Sequence, residues 1–92
     1  MLESNIEQYT TKIIKNKKGL CIKLNSTSLR GLPDRMVLLH KGVIFFIEFK
    51  APNKKANQLQ LSAHRVLKSL GFDVYVVDSK EKAKEVLKKY GI

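Results

Sequence analysis

Two carboxylates and a lysine are the residues of this chain best placed to do chemistry. Asp34 lies in Gly31-Leu32-Pro33-Asp34-Arg35, and Glu48 and Lys50 close the most apolar run, Val43-Ile44-Phe45-Phe46-Ile47. The pattern is Pro-Asp, a spacer, then Glu-x-Lys. A first apolar run, Met36-Val37-Leu38-Leu39, is separated from the second by His40-Lys41-Gly42, short, polar and Gly-containing, which predicts a hairpin. A hairpin symmetric about Lys41 sets Asp34 and Glu48 directly opposite each other, with Cβ atoms roughly 5 Å apart. Glu48 and Lys50, two residues apart, project from one face of the strand. Like charges facing across a strand pair destabilise it, unless something positive sits between them. A hard divalent cation meets that need, since Mg²⁺ takes carboxylate, carbonyl and water oxygens at about 2.1 Å. A metal so held polarises a phosphoryl oxygen and acidifies a coordinated water. Lys50 would position the attacking water or stabilise the developing negative charge.

The elements that must hold these residues follow from periodicity. Leu2, Ile6, Tyr9 and Ile13 form one apolar stripe of a first helix. Glu3 and Glu7 flank that stripe, where acids also complement the helix dipole. The helix is expected to end in the basic turn Lys15-Asn16-Lys17-Lys18-Gly19, with Gly19 as its stop. Leu20–Leu24 reads as a strand. Residues 25–31, with Ser26, Thr27, Ser28 and Arg30, form a polar loop leading to Asp34 and able to pass close to a ligand. The hairpin strands are expected at 35–40 and 43–49, the second apolar on both faces, as a central strand should be. Residues 51–53 break the strand, and Lys54-Lys55 add charge.

A second helix from about Asn57 to Leu70 has Leu59, Ala63, Val66, Leu67 and Leu70 as its expected buried stripe. Gln60 and His64 share the neighbouring face. Gln60 also stands three residues after Asn57, the spacing of a capping-box variant. His64 is more simply a surface or satisfied histidine than a ligand. Residues 73–77 form a fourth strand. Asp78, with Glu81 as reciprocal partner, is the expected cap of a last helix. That helix turns Ala83, Val86, Leu87 and Tyr90 inward and its lysines outward. The three tyrosines are read as core residues. The order α-β-β-β-α-β-α describes one α/β domain over residues 1–92, a mixed central sheet flanked by helices.

Composition narrows the partner. Eighteen Lys and Arg against eight Asp and Glu give a formal charge of +10 on 92 residues, which favours a polyanion, nucleic acid first. No apolar run approaches the ~20 residues of a membrane-spanning helix, and the opening residues do not read as a signal peptide. No membrane partner is expected. The lone Cys21 suits a reducing, cytoplasmic setting and reads as a small buried hydrophobe.

These residues in this order resemble the VRR-NUC (virus-type replication-repair nuclease) domains of the PD-(D/E)xK superfamily, with its restriction-endonuclease-like core. The resemblance rests on Glu3-x-x-Ile6-Glu7, residues 30–35, residues 46–52, Leu59-Gln60 and the stretch 70–78. It implies that Asp34 and Glu48 bind the metal together with the backbone carbonyl of Phe49. Lys50 would be the catalytic lysine, Glu3 the first-helix acid and Gln60 a supporting glutamine. It further implies cleavage of DNA phosphodiesters with Mg²⁺ or Mn²⁺. Small stand-alone members are similar to homodimeric, phage-encoded Holliday junction resolvases of recombination and repair, acting on four-way junctions. Arg30, Arg35, Lys54 and Lys55, which flank the site in sequence, are expected to contact phosphates and set affinity. Arg35 has an equal claim to pairing with a site carboxylate. Two alternatives stand beside the junction reading: a flap, nick or restriction-type nuclease working with a helicase, and a DNA-binding module without catalysis.

Overall fold

The computed structural model describes residues 1–25 and 28–92. Ser26 and Thr27, in the polar loop expected to approach a ligand, lie outside the described residues. The elements are α1 (Glu3–Asn16), β1 (Leu20–Lys23), β2 (Arg35–Leu39), β3 (Val43–Phe49), α2 (Gln58–Ser69), β4 (Asp73–Val77) and α3 (Lys80–Lys88), with a 3₁₀ turn at His40–Gly42 between β2 and β3. The four strands form one sheet in the order β1-β2-β3-β4. The first three pair antiparallel, and β4 runs parallel to β3. The mixed α/β architecture expected from the sequence is the one observed.

The turn carries the register. Lys41 and Gly42 both take positive φ, 67° and 75°, which reverses the chain tightly enough to pair Leu39 with Val43 and Arg35 with Ile47. Carried one residue further, that register sets Asp34 opposite Glu48.

The alternation of β3 divides the core. Phe45, Ile47 and Phe49 face α1 and α3, where they meet Ile6, Ile14, Val37, Val77, Ala83, Val86 and Leu87. Phe45 stacks on Tyr90, ring centroids 4.1 Å apart, and meets Tyr75 edge-on. Phe46 points the other way, toward Leu67 of α2 and Val74 of β4. Glu48 has the parity of Phe46, so it too faces the α2 side.

Three local expectations differ from the fold. Helix α1 ends near Gly19, but the left-handed residue is Lys18, at φ 65°. Gly19 is needed for space instead, because a Cβ there would lie 2.7 Å from Leu39 Cδ2. Helix α3 is capped by Ser79, whose Oγ accepts the Lys82 N–H at 3.0 Å. Asp78 accepts the Asn53 N–H instead, at 3.3 Å. On α2, Ala63 and Leu67 are buried as expected, but Leu59, Val66 and Leu70 are 46%, 46% and 68% exposed. His64 turns inward in their place. The helix is rotated from its most hydrophobic phase because the sheet beneath it presents a carboxylate as well as phenylalanine.

Candidate active site

Asp34 is held by the backbone around it. Its carbonyl accepts the Leu24 N–H at 2.8 Å, and its Oδ2 accepts the Phe49 N–H at 2.8 Å. The approach to it is tight. Gly31 has φ +81°, and a Cβ there would fall 2.4 Å from the Leu59 carbonyl oxygen. Only glycine suits that combination of left-handed backbone and contact with the start of α2.

Glu48 is 2% exposed. Its Oε2 accepts from Gln60 Nε2 at 3.2 Å and lies 3.7 Å from Lys50 Nζ. Gln60 is itself fixed at the first turn of α2. Its Oε1 accepts the Asn57 N–H at 3.0 Å, and its own N–H is accepted by Asn57 Oδ1 at 2.9 Å. One side chain makes both contacts: the amide oxygen closes the capping box while the NH₂ group donates to Glu48.

The other oxygen, Glu48 Oε1, is buried without a hydrogen-bond partner among the described residues. So is His64 Nε2, 3.7 Å away. Burial pushes the Glu48 carboxyl up to about 8, the Asp34 charge adds to the rise, and Lys50 opposes it. Burial also pushes the His64 imidazole down, aided by Lys68 and Lys50 and opposed by Asp34. One of two facing carboxyls is thus driven to keep its proton, despite the Lys50 ammonium 3.7 Å from Glu48 Oε2.

No family model matches the chain. Two similar proteins are informative. A protein of Acyrthosiphon pisum secondary endosymbiont phage 1, named "Putative nuclease p44", is 39% identical over 79 residues, spanning 86% of this chain and 85% of that protein. A solved structure described as a VRR_NUC domain superposes with a TM-score of 0.87 at 31% identity, covering 96% of each chain. The chain belongs to the VRR-NUC family.

For a VRR-NUC chain the donor set is consistent. Among the described residues no three His, Cys, Asp or Glu side chains form a metal-holding group. Asp34, Glu48 and the Phe49 carbonyl are nevertheless all hard oxygen donors, and a hard cation such as Mg²⁺ completes its sphere with water rather than with a full protein cage. The unpartnered Glu48 Oε1 and the raised carboxyl are what such a cation would relieve.

The remaining expected residues separate. Glu3 is exposed at the start of α1, yet its charge is felt at Glu48. The carboxylate partner of Arg35 is Glu7, not one of the site carboxylates. Its Nε and Nη2 donate to Glu7 Oε1 at 3.3 and 3.0 Å, and Nη1 donates to the Cys21 carbonyl at 3.4 Å. It braces α1 against β1 and β2 on the sheet face away from Glu48. Arg30, Lys54 and Lys55 are exposed. His64 is the residue that sequence reasoning undervalued. Its place four residues after Gln60, on the same helix face, was the available signal.

Proposed function

We propose that this chain is a metal-dependent, structure-selective DNA endonuclease, working as a homodimer on four-way junctions. The observation that supports it best is the buried Glu48, set opposite Asp34 by the hairpin register and gripped by Gln60 and Lys50. The carboxylates and the Phe49 carbonyl would hold Mg²⁺, or Mn²⁺ in its place, and the ion would supply Lewis acidity toward a phosphodiester oxygen.

The chain's own groups do the rest. Asp34 is kept in place by the Phe49 N–H. Gln60 fixes the orientation of Glu48. Lys50 brings its ammonium to the same edge, where it orients the attacking water and stabilises charge building on the phosphoryl oxygens. Glu3 adds a negative charge at the rim, suited to a water-mediated contact with the ion. The formal charge of +10 draws the polyanion in. Arg30, Lys54 and Lys55 provide backbone contacts that fix position without reading sequence. Symmetric resolution of a junction needs two nicks, and a two-fold dimer of single-site chains supplies them. Among the described residues no helix is long and apolar enough to cross a membrane. A phage-type role in recombination or repair within the bacterial cytoplasm fits this reading.

The test is cleavage of labelled four-way junction, flap and linear duplex DNA by wild type and Asp34→Ala in Mg²⁺, Mn²⁺ or EDTA. Paired symmetric nicks on the junction alone, lost in EDTA and in the variant, are expected. Cutting of flaps or duplex would replace the junction as substrate. Tight binding without cutting in either metal would remove the enzymatic reading and leave a DNA-binding module.

A further inference from the structure

Beside the proposed catalytic residues, on the α2 side of the sheet, lies an open pocket of about 350 Å³. Ala56, Leu61 and Val76 give it an apolar floor, and Lys54, Lys55 and Lys82 line it together with Asp78. The rim is net positive. The Asp78 carboxylate is already engaged by the Asn53 N–H. Lys82 lies 3.5 Å from Glu85 in a largely exposed pair, which holds an ammonium only weakly.

Register fixes where this pocket sits. Val76 is the β4 partner of Glu48 in the parallel pair. Neighbouring strands lie about 4.8 Å apart, and paired residues share a face. The floor is therefore one strand away from the buried carboxylate. Leu61 follows Gln60, which holds that carboxylate. Lys54 and Lys55 lie on the segment leading out from Lys50.

An apolar lining beside three lysines and one aspartate suits a nucleotide, its base against Leu61 and Val76 and its phosphate toward the lysines. The volume is in the range of small-ligand pockets, roughly 300–1,000 Å³. Within a continuous duplex the base faces are stacked and cannot be presented; a nucleotide must leave the stack to offer one. We infer that this pocket receives a nucleotide unstacked at a branch point and adjoining the phosphodiester that Asp34, Glu48 and Lys50 serve, so that the protein selects branched over continuous DNA. The inference rests on the DNA-nuclease reading and adds a basis for its substrate choice.

The experiment measures binding in EDTA, so cleavage does not enter. Fluorescence anisotropy compares the full chain on a branched duplex carrying one unpaired nucleotide with the same DNA made abasic at that position. Wild type should bind the DNA with the base roughly tenfold more tightly, the scale expected for burying a base's apolar face against aliphatic side chains. Leu61→Glu should bring that ratio to about one, while Lys82→Glu weakens both DNAs. A 2-aminopurine at the unpaired position gives a reading on wild type alone, since its emission should change on binding. A wild-type ratio of one, a ratio retained in a folded Leu61→Glu, or no DNA binding at all would overturn the pocket. Failure to cut in Mg²⁺ or Mn²⁺ overturns the nuclease reading separately and leaves the base preference measurable.

Discussion

Gln60 joins the cap of α2 to the buried carboxylate of β3: its Oε1 takes the Asn57 N–H at 3.0 Å while its Nε2 reaches Glu48 Oε2 at 3.2 Å. One amide thereby sets the helix start and the carboxylate orientation together. Gln60→Ala removes both. The helix should lose about 1 kcal/mol with its cap partner, read as a lower unfolding midpoint, and single-turnover cleavage should fall by roughly tenfold, the cost of about one hydrogen bond to a charged group. Gln60→Glu keeps the capping oxygen but turns a carboxylate toward Glu48. It should melt near wild type in metal while cutting less than Gln60→Ala. Equal rates in the two variants would sink this division of roles.

The pH dependence of stability follows from Glu48. Its carboxyl sits at about 8 in the metal-free fold against 4.5 ordinarily. The folded chain keeps a proton that the unfolded chain gives up. The stabilisation is full below 4.5 and is lost as pH rises through 8, at no more than ~1.4 kcal/mol per pH unit. In EDTA the unfolding midpoint of wild type should therefore fall between pH 5 and 9 more steeply than that of Glu48→Gln, which cannot ionise. Parallel curves for the two proteins would show that Glu48 titrates normally.

Divalent metal should reverse that loss. At pH 8, Mn²⁺ or Mg²⁺ at 100 times its Kd should add about 2.7 kcal/mol to wild-type stability by mass action. Asp34→Ala should gain little from the same addition. A midpoint that rises equally in both proteins would mean the ion binds elsewhere.

The fold class was legible because strands and helices alternate with clean periods and because Lys41-Gly42 makes a short turn. That turn fixes the register, and the register brings Asp34 to Glu48. What hydrophobicity misjudged was the face of α2. Leu59, Val66 and Leu70 look like core, yet a helix lying over a carboxylate must offer polar groups there, so Gln60 and His64 turn inward. Composition also cannot choose between adjacent cap residues. Asp78 and Ser79 both qualify; Ser79 takes the cap, and Asp78 accepts the Asn53 N–H. The pairing of Arg35 with Glu7 crosses 28 residues of sequence and left no local signal.

The basic residues should divide by role. Glu7→Ala leaves the part-buried Arg35 guanidinium without its carboxylate partner and should cost about 1–3 kcal/mol of stability, with the salt dependence of DNA binding unchanged. Lys54→Ala and Lys55→Ala should leave the unfolding midpoint within about 0.5 kcal/mol of wild type. Each should reduce the salt slope of DNA binding by about one. A slope changed by Glu7→Ala as much as by the lysine variants would place Arg35 among the phosphate contacts after all.

Gly31, pressed by backbone against the Leu59 carbonyl, has a consequence for how the molecule can adapt to what it grips. The loop that ends in Asp34 and the helix that begins before Gln60 touch main chain to main chain, with no side chain between them to change rotamer. That contact limits how closely the Asp34 loop and the start of α2 can approach each other. Accommodation to substrates of different shape is easier away from this corner, and the lysine-bearing span 51–56 is one nearby segment free of helix and strand. Contacts made by Lys54 and Lys55 can then vary without disturbing the backbone packing of Gly31 on Leu59.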